Sequence, residues 1–322
     1  MTSVPTLPLG TYKIPIIGIG TLAVTDGEAL EKMLNAALEV GYRHFDTAFL
    51  YRNEHLIGKV LNKWFTSGKV KREDIFVTTK LPFDGTYPEG VEKFLKESLA
   101  ALQLNYVDLY LVHFPVRIKP LNGKGLEAAE PLPTDHLGVW REMEKQVKAG
   151  RAKTIGVSNF NRRQVERLLK EAEIKPVCNQ IELNVYLPQT QFVEFLQANG
   201  IIAVSYFSLG NPALKQQRIQ SGFWPAGKPD VLADPTIKRI ADKHNKTPAQ
   251  ILLKALVQRK IVVIPKSVTL SRIKENFQLF DFDLDAEDVE AIAGIAIGER
   301  ARLGQFKPLQ GHPEYPHPVL DG

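Results

Sequence analysis

The sequence has one cysteine, Cys178, so no disulfide can form within the chain, and a reducing compartment is expected. It has only seven histidines, and they are scattered. His44 and Asp46 share one strand face as metal ligands do, but no second paired-ligand motif joins them, and packing explains His44 better than a metal. No apolar run reaches transmembrane length, and residues 1–10 carry no charged leader. The chain therefore reads as cytosolic, with no membrane partner. Dense tracts of Lys or Arg are also missing. A total of 41 basic and 36 acidic residues leaves a net charge of +5, with a pI near 9.0. That excess gives little support to a nucleic-acid partner, although a basic pocket for a phosphorylated small molecule is compatible with it. There is no low-complexity tract. Proline gathers only near the end (Pro308, Pro313, Pro316, Pro318), as in an extended surface segment.

What the chain does have is a regular alternation of strand and helix signals along its 322 residues. Residues 6–9 and 12–14 flank Gly10-Thr11 as a hairpin. Apolar β-rich runs then fall at 16–19, 44–46, 75–80, 107–113, 154–158, 178–183, 201–206 and 261–265. Helical periodicity predicts helices over about 28–39, 53–65, 89–102, 136–149, 162–172, 189–199, 235–244, 247–259, 271–280 and 285–295. Thr25 and Glu28 are spaced as a capping box for the first helix. Eight strand–helix units with no composition break favour a closed (β/α)8 TIM barrel, with one domain over 1–322 and an N-terminal β-hairpin. Long loops at 116–135, 209–233 and the tail 298–322 are candidates for lids over the C-terminal mouth.

One motif points elsewhere. The stretch from Gly18 to Ala23 matches the dinucleotide fingerprint G-x-G-x-x-A, with an acid at about the right distance beyond it. The fingerprint needs its helix to open at the glycines, whereas the capping signal places the helix start after Thr25. An open dinucleotide-binding sheet therefore remains the minor alternative.

The strand ends are more informative, because catalytic groups in such a barrel sit where the strands end. In order they carry Asp46, Lys80, His113, Ser158-Asn159, Gln180, Tyr206 and Lys266, with Tyr51 on the loop after Asp46. Each has a bland reading alone: a phenol after a strand is more often packing, a lysine there is usually solvated, and a lone histidine is usually structural. Together they suit carbonyl reduction, which builds negative charge on oxygen and needs a proton donor and positive potential. A phenol is a weak acid near neutrality. An adjacent ammonium is expected to lower its pKa, and a carboxylate to keep that ammonium charged. Tyr51, Lys80 and Asp46 supply these groups, and His113 could orient the carbonyl. Ser158, Asn159 and Gln180 could hold a carboxamide, and Tyr206 could stack on a flat ring. Lys266, Ser267 and Arg272 form a cationic, hydroxyl-bearing patch suited to a phosphate monoester, such as the 2′-phosphate of NADPH.

These residues resemble the aldo-keto reductase family, in long motifs that run in order over nearly the whole chain. They are GYRHFDTAFLYRNEHLIG (41–58), TTKL (78–81), VDLYLVHFP (107–115), IGVSNF (155–160), NQIELN (179–184), SYFSLG (205–210) and IPKSVTLSRIKEN (264–276). The resemblance implies a (β/α)8 barrel and an NADPH-dependent reductase of aldehydes and ketones. Asp46, Tyr51, Lys80 and His113 match the catalytic tetrad, with Tyr51 as the acid. Ser158, Asn159, Gln180 and Tyr206 match the nicotinamide contacts. Lys266, Ser267, Val268, Thr269 and Arg272 match contacts to the 2′-phosphate and ribose, Glu275 and Asn276 match the adenine contacts, and Thr21 falls where the family approaches the cofactor. The chain departs from the pattern at Tyr206-Phe207-Ser208-Leu209-Gly210, where many members read Tyr-Ser-Pro-Leu-Gly. Phe207 removes a hydroxyl near the pyrophosphate, which leaves main-chain contact there, with Leu209 among the expected cofactor neighbours.

Leu22, Pro82 and Phe114 stand where several members place tryptophans, which implies a wider pocket open to bulky ketones. Phe83, Phe223, Trp224 and Leu303 are further candidate wall residues from the long loops. The chain also looks similar to insect members that reduce ecdysteroid ketones or isoprenoid aldehydes. A non-enzymatic NADPH-binding protein and a metal-dependent barrel hydrolase are the competing readings. A monomer acting on a small carbonyl compound is the expectation.

Overall fold

In this chain the parity of a strand residue's number fixes which way its side chain points. The protein is described by a computed structural model covering residues 4–122, 124, 126–212 and 230–318. The hairpin strands β1 (Thr6–Leu9) and β2 (Tyr12–Pro15) are followed by β3 (Ile19–Gly20), α1 (Gly27–Val40), β4 (His44–Asp46), α2 (Glu54–Thr66), β5 (Phe76–Leu81), α3 (Pro88–Leu102) and β6 (Val107–Val112). Next come a short antiparallel pair, β7 (Arg117–Ile118) and β8 (Pro131–Leu132), then α4 (His136–Lys148), β9 (Ala152–Ser158), α5 (Arg162–Glu171), β10 (Cys178–Glu182), α6 (Thr190–Ala198) and β11 (Ile202–Tyr206). The chain continues through α7 (Pro235–His244), α8 (Pro248–Gln258), β12 (Val262–Val263), α9 (Leu270–Phe277) and α10 (Ala286–Gly294).

Strands β3, β4, β5, β6, β9, β10, β11 and β12 form one parallel sheet in that order. The sheet closes on itself. Ile17 bridges Val263 in parallel, the Gly18 N–H donates to the Val263 carbonyl (2.8 Å), and the Val263 N–H donates to the Ile16 carbonyl (3.0 Å). This is the expected (β/α)8 barrel. It also explains the two glycines of the fingerprint-like motif. A Cβ on Gly18 would lie 2.5 Å from His44 Nδ1, and one on Gly20 would lie 2.8 Å from the Ile264 carbonyl oxygen. Close packing against β4 at Gly18 and across the closing seam at Gly20 leaves no room for a side chain at either position.

Alternation across each strand sorts the side chains into two sets. Phe76, Leu109, Leu111, Cys178, Val204 and Val262 face inward and pack with Leu9 and Ile14, so the hairpin plugs the barrel floor. Phe45, Val77, Tyr110, Val112, Val157, Ile181 and Ala203 belong to the larger core between strands and helices. The inward rows continue toward the mouth as His44 and Asp46; Thr78 and Lys80; His113; Gln180 and Glu182; and Tyr206. An apolar floor under a polar rim follows from the strand pattern alone.

Several boundaries depart from expectation. The first helix is capped by Asp26, whose carboxylate accepts from the Ala29 N–H at 2.7 Å, so Thr25 and Glu28 do not form a capping box. The carboxylate two residues before Glu28 reaches the first-turn donor directly. The expected strands at 16–19 and 261–265 are reduced to β3 and β12, because the closing seam pairs there through one bridge, Ile17 to Val263. The stretch 116–135 contains the β7–β8 pair instead of being wholly loop. The tail contains short 3-10 turns at Gly298–Ala301 and Lys307–Leu309.

Candidate active site

Where the inward rows reach the rim, Lys80 is buried with three oxygens around its ammonium. Nζ donates to Asp46 Oδ1 (2.7 Å), to the Thr47 carbonyl (2.7 Å) and, more weakly, to Tyr51 Oη (3.4 Å). Asp46 is held from the other side by Gln180 Nε2 at 2.7 Å. A buried ion pair persists only when its remaining valences are filled, and here they are. Burial alone would lower the Lys80 pKa, but the facing Asp46 and Tyr51 more than offset it, so the ammonium stays charged.

Tyr51 ends a 3-10 turn (Phe49–Tyr51) that Arg52 closes in the left-handed region, with φ of 57°. The turn is tied down by Asn53, which is fully buried and whose Nδ2 donates to the carbonyls of Thr21 (2.9 Å) and Val24 (3.0 Å). Lys80 pulls the phenol toward acidity as expected. Withdrawal from water outweighs it, however, and the Tyr51 pKa lies above its ordinary value, which corrects the expectation of a lowered one. His113 sits beside both aromatic neighbours, its ring centroid 5.9 Å from Tyr51 and 5.2 Å from Phe83. Burial, together with the Lys80 charge, holds the imidazole pKa well below its ordinary value, so the ring is neutral at pH 7. A neutral ring carries one N–H donor, as orienting a carbonyl oxygen requires.

Asp46, Tyr51 and His113 line a cavity of about 840 Å³, with Lys80 buried behind them, and a second cluster shares it. Ser158 Oγ donates to the Gln180 carbonyl (2.9 Å), Asn159 Nδ2 donates to the His113 carbonyl (3.0 Å), and Tyr206 Oη donates to Asn159 Oδ1 (2.6 Å). Asn159 adopts a left-handed backbone, with φ of 63°, which turns its amide into the cavity. Thr21 is anchored to the Asp46 carbonyl through Oγ1 at 2.9 Å. At the far end Leu209, Lys266, Ser267, Val268, Thr269, Arg272, Glu275 and Asn276 line the same cavity. Ser267 Oγ accepts from the Thr269 N–H (3.1 Å) and Glu275 accepts from Thr247 Oγ1 (2.7 Å). Burial lowers the Lys266 pKa. Neither Lys266 nor Arg272 has an acidic partner among the described residues, and they flank the start of α9, whose N-cap Thr269 gives no side-chain cap. Two unpaired cations beside open helix N–H groups fit a phosphate. The donor set therefore suits a nicotinamide dinucleotide, with Ser158, Asn159, Gln180 and Tyr206 at one end and Lys266 and Arg272 at the other.

The expected pocket walls divide. Leu22 and Phe83 line the cavity. Pro82, Phe114 and Leu303 do not. Phe114 is fully buried and stacks behind Phe83, with ring centroids 5.0 Å apart, and Leu303 is 5% exposed, with its N–H committed to Glu182. Phe223 and Trp224 lie outside the described residues. The sequence reading missed Phe306 and Gly304 from the tail, Leu50 from the Tyr51 turn, and Leu121 and Leu126 from the loop between β7 and β8, all of which line the cavity. It also passed over Asn53 and Glu182, although both lie inside the quoted motifs. His44, 1% exposed, pairs with Thr78 Oγ1 (3.1 Å) and packs edge-on against Phe76.

A profile of the Aldo/keto reductase family matches residues 10–297. The chain belongs to the aldo-keto reductase family. It is thus an enzyme of the NAD(P)-dependent oxidoreductases that act on carbonyls and alcohols. This aldo-keto reductase is 42% identical over 320 residues to prostaglandin F synthase 2 of Bos taurus, with 94% of each chain covered. It is 42% identical over 319 residues to prostaglandin-E(2) 9-reductase of Oryctolagus cuniculus, again with 94% of each covered. Among solved structures it resembles the aldose reductase of Schistosoma japonicum, with a TM-score of 0.83, 40% identity and 95% of each chain covered.

Proposed function

We propose that this aldo-keto reductase reduces aldehydes and ketones to alcohols with NADPH, taking the proton from Tyr51. The observation that carries this reading is the placement of the Lys80 ammonium between Asp46 and Tyr51, with Tyr51 and His113 facing one cavity. A nicotinamide dinucleotide held by Ser158, Asn159, Gln180 and Tyr206 at one end and by Lys266 and Arg272 at the other would supply the hydride. The neutral His113 positions the carbonyl oxygen by a hydrogen bond, and Tyr51 gives up its proton as charge gathers there. Lys80 stabilises the phenolate left behind, and Asp46, steadied by Gln180, keeps Lys80 charged. Burial keeps Tyr51 protonated until that charge develops, so the reaction and not the resting state draws the proton out. The unpaired Lys266 and Arg272 support a preference for NADPH over NADH.

Leu22, Leu50, Phe83, Leu121, Leu126 and Phe306 give an apolar cavity broad enough to favour bulky carbonyls. The flat aromatic walls Phe83 and Phe306 favour, as a second reading, a steroid ketone such as a 3-dehydroecdysteroid. We also take the whole chain as one barrel domain with 298–322 as its tail, acting as a cytosolic monomer.

The test is NADPH oxidation against small aldehydes, sugars, isoprenoid aldehydes and keto-steroids. Tyr51→Phe should lower kcat by about 10²–10⁴-fold while leaving NADPH binding intact. Full turnover in that variant would remove Tyr51 from the role of acid.

A further inference from the structure

Glu182 is fully buried and takes no part in the chemistry above. It ends β10 two residues beyond Gln180, on the same inward face, and pairs across the strand with Tyr206. Its carboxylate accepts from the Leu303 N–H (2.8 and 3.1 Å to its two oxygens) and from the Gly304 N–H (2.8 Å). Those donors lie 121 and 122 residues away, in the tail. Just before them Arg302, 4% exposed, pairs through two nitrogens with Glu299 (2.6 and 2.7 Å).

Just after them Phe306 takes a left-handed backbone, with φ of 38°, and turns its ring onto Phe83 and Phe114 at 5.7 and 4.8 Å. Phe83 in turn packs edge-on against His113. A carboxylate is a costly choice for a buried strand end, where an aliphatic side chain would pack at no desolvation cost. Its two oxygens can do what no aliphatic group can: they fix two successive N–H groups in one register through charge-assisted bonds. The strained backbone of Phe306 lies two residues past that grip and needs surroundings that hold it.

We propose that Glu182 is a positioning residue for carbonyl selection. By gripping the Leu303 and Gly304 amides it sets the tail so that Phe306 forms a fixed wall of the pocket against Phe83 and thereby decides how bulky carbonyls seat. The selection half of this inference rests on the reductase reading above; the grip itself does not.

Hydrogen exchange and kinetics test the two halves separately. In Glu182→Ala, exchange at the Leu303 and Gly304 amides should rise about tenfold or more while the β10 amides keep their protection. With a bulky ketone that the wild type reduces, KM should rise about tenfold with little change in kcat; a small aldehyde and the NADPH Kd should shift by less than about threefold. Phe306→Ala should produce the same change in discrimination, and the double variant should add nothing to it, because both changes remove one wall. Glu182→Gln keeps one acceptor oxygen and should recover part of the effect; it carries the comparison should Glu182→Ala fail to fold. Unchanged exchange at residues 303–304 would overturn the grip, whether or not the wild type reduces carbonyls. Equal losses on both substrates, or simple addition of the two substitutions, would overturn the role in selection.

Discussion

The two ends of the cavity hold charge in opposite ways. At the chemical end, the Lys80 and Asp46 side chains are 0% and 3% exposed and bonded to each other and to Gln180 and the Thr47 carbonyl. At the other end, Arg272 is exposed, Lys266 is half-buried, and neither has an acid beside it among the described residues. A proton-transfer site must hold its charges in place before substrate arrives, and in the barrel interior every valence left open is costly. A phosphate-reading site needs the reverse, since a cation already paired has little to offer an anion, and water tolerates it unpaired in the meantime.

The largest effect should come from breaking the closed end. Lys80→Met leaves Asp46 buried without its cation, so chemical denaturation should show a loss of about 3–5 kcal/mol together with lost turnover. A variant as stable as the wild type would mean the pair is not load-sharing in the folded barrel. At the open end, Arg272→Ala removes a charge that has no acidic partner among the described residues. Stability should hardly move, while the NADPH Kd rises about 10–100-fold and the NADH Kd less than about threefold. Equal losses for the two cofactors would show that the 2′-phosphate is not read there.

A smaller effect sharpens the comparison within the barrel. Burial lowers the His44 pKa from 6.5 to about 4. Because the unfolded chain then binds the extra proton, no penalty exists above pH 6.5, and stability falls as the pH drops below it. At pH 5.5 the cost should be about 1.4 kcal/mol, visible as a flatter pH dependence in His44→Gln. An identical acid slope in that variant would exclude His44 as the source.

Much of this is legible in the sequence. Strand parity places Asp46, Lys80, His113, Gln180 and Tyr206 on inward rows, and the strand ends supply the residue types. The failures share a cause, because they depend on long-range packing. Phe114 has the right chemistry for a wall, yet the ring of Phe83 covers it. Phe306 is not legible in the sequence, because contacts between the tail and distant elements, to Glu182 and to Phe83 and Phe114, place it at the cavity. The direction of the Tyr51 shift was misjudged for a related reason. The charge of Lys80 could be read from the sequence, but the depth of burial that outweighs it could not. The 25–28 capping signal failed more simply, since a better acceptor, Asp26, stands between its two members.

The seam between Ile17 and Val263 joins the first barrel strand to the last. The ring therefore cannot close until residue 263 has been made, and a sheet formed before then would carry two unpaired edges. A polypeptide halted before residue 262 would lack the closing strand and lose Lys266 and Arg272 as well, so the seam and the phosphate end of the cavity are made together or not at all.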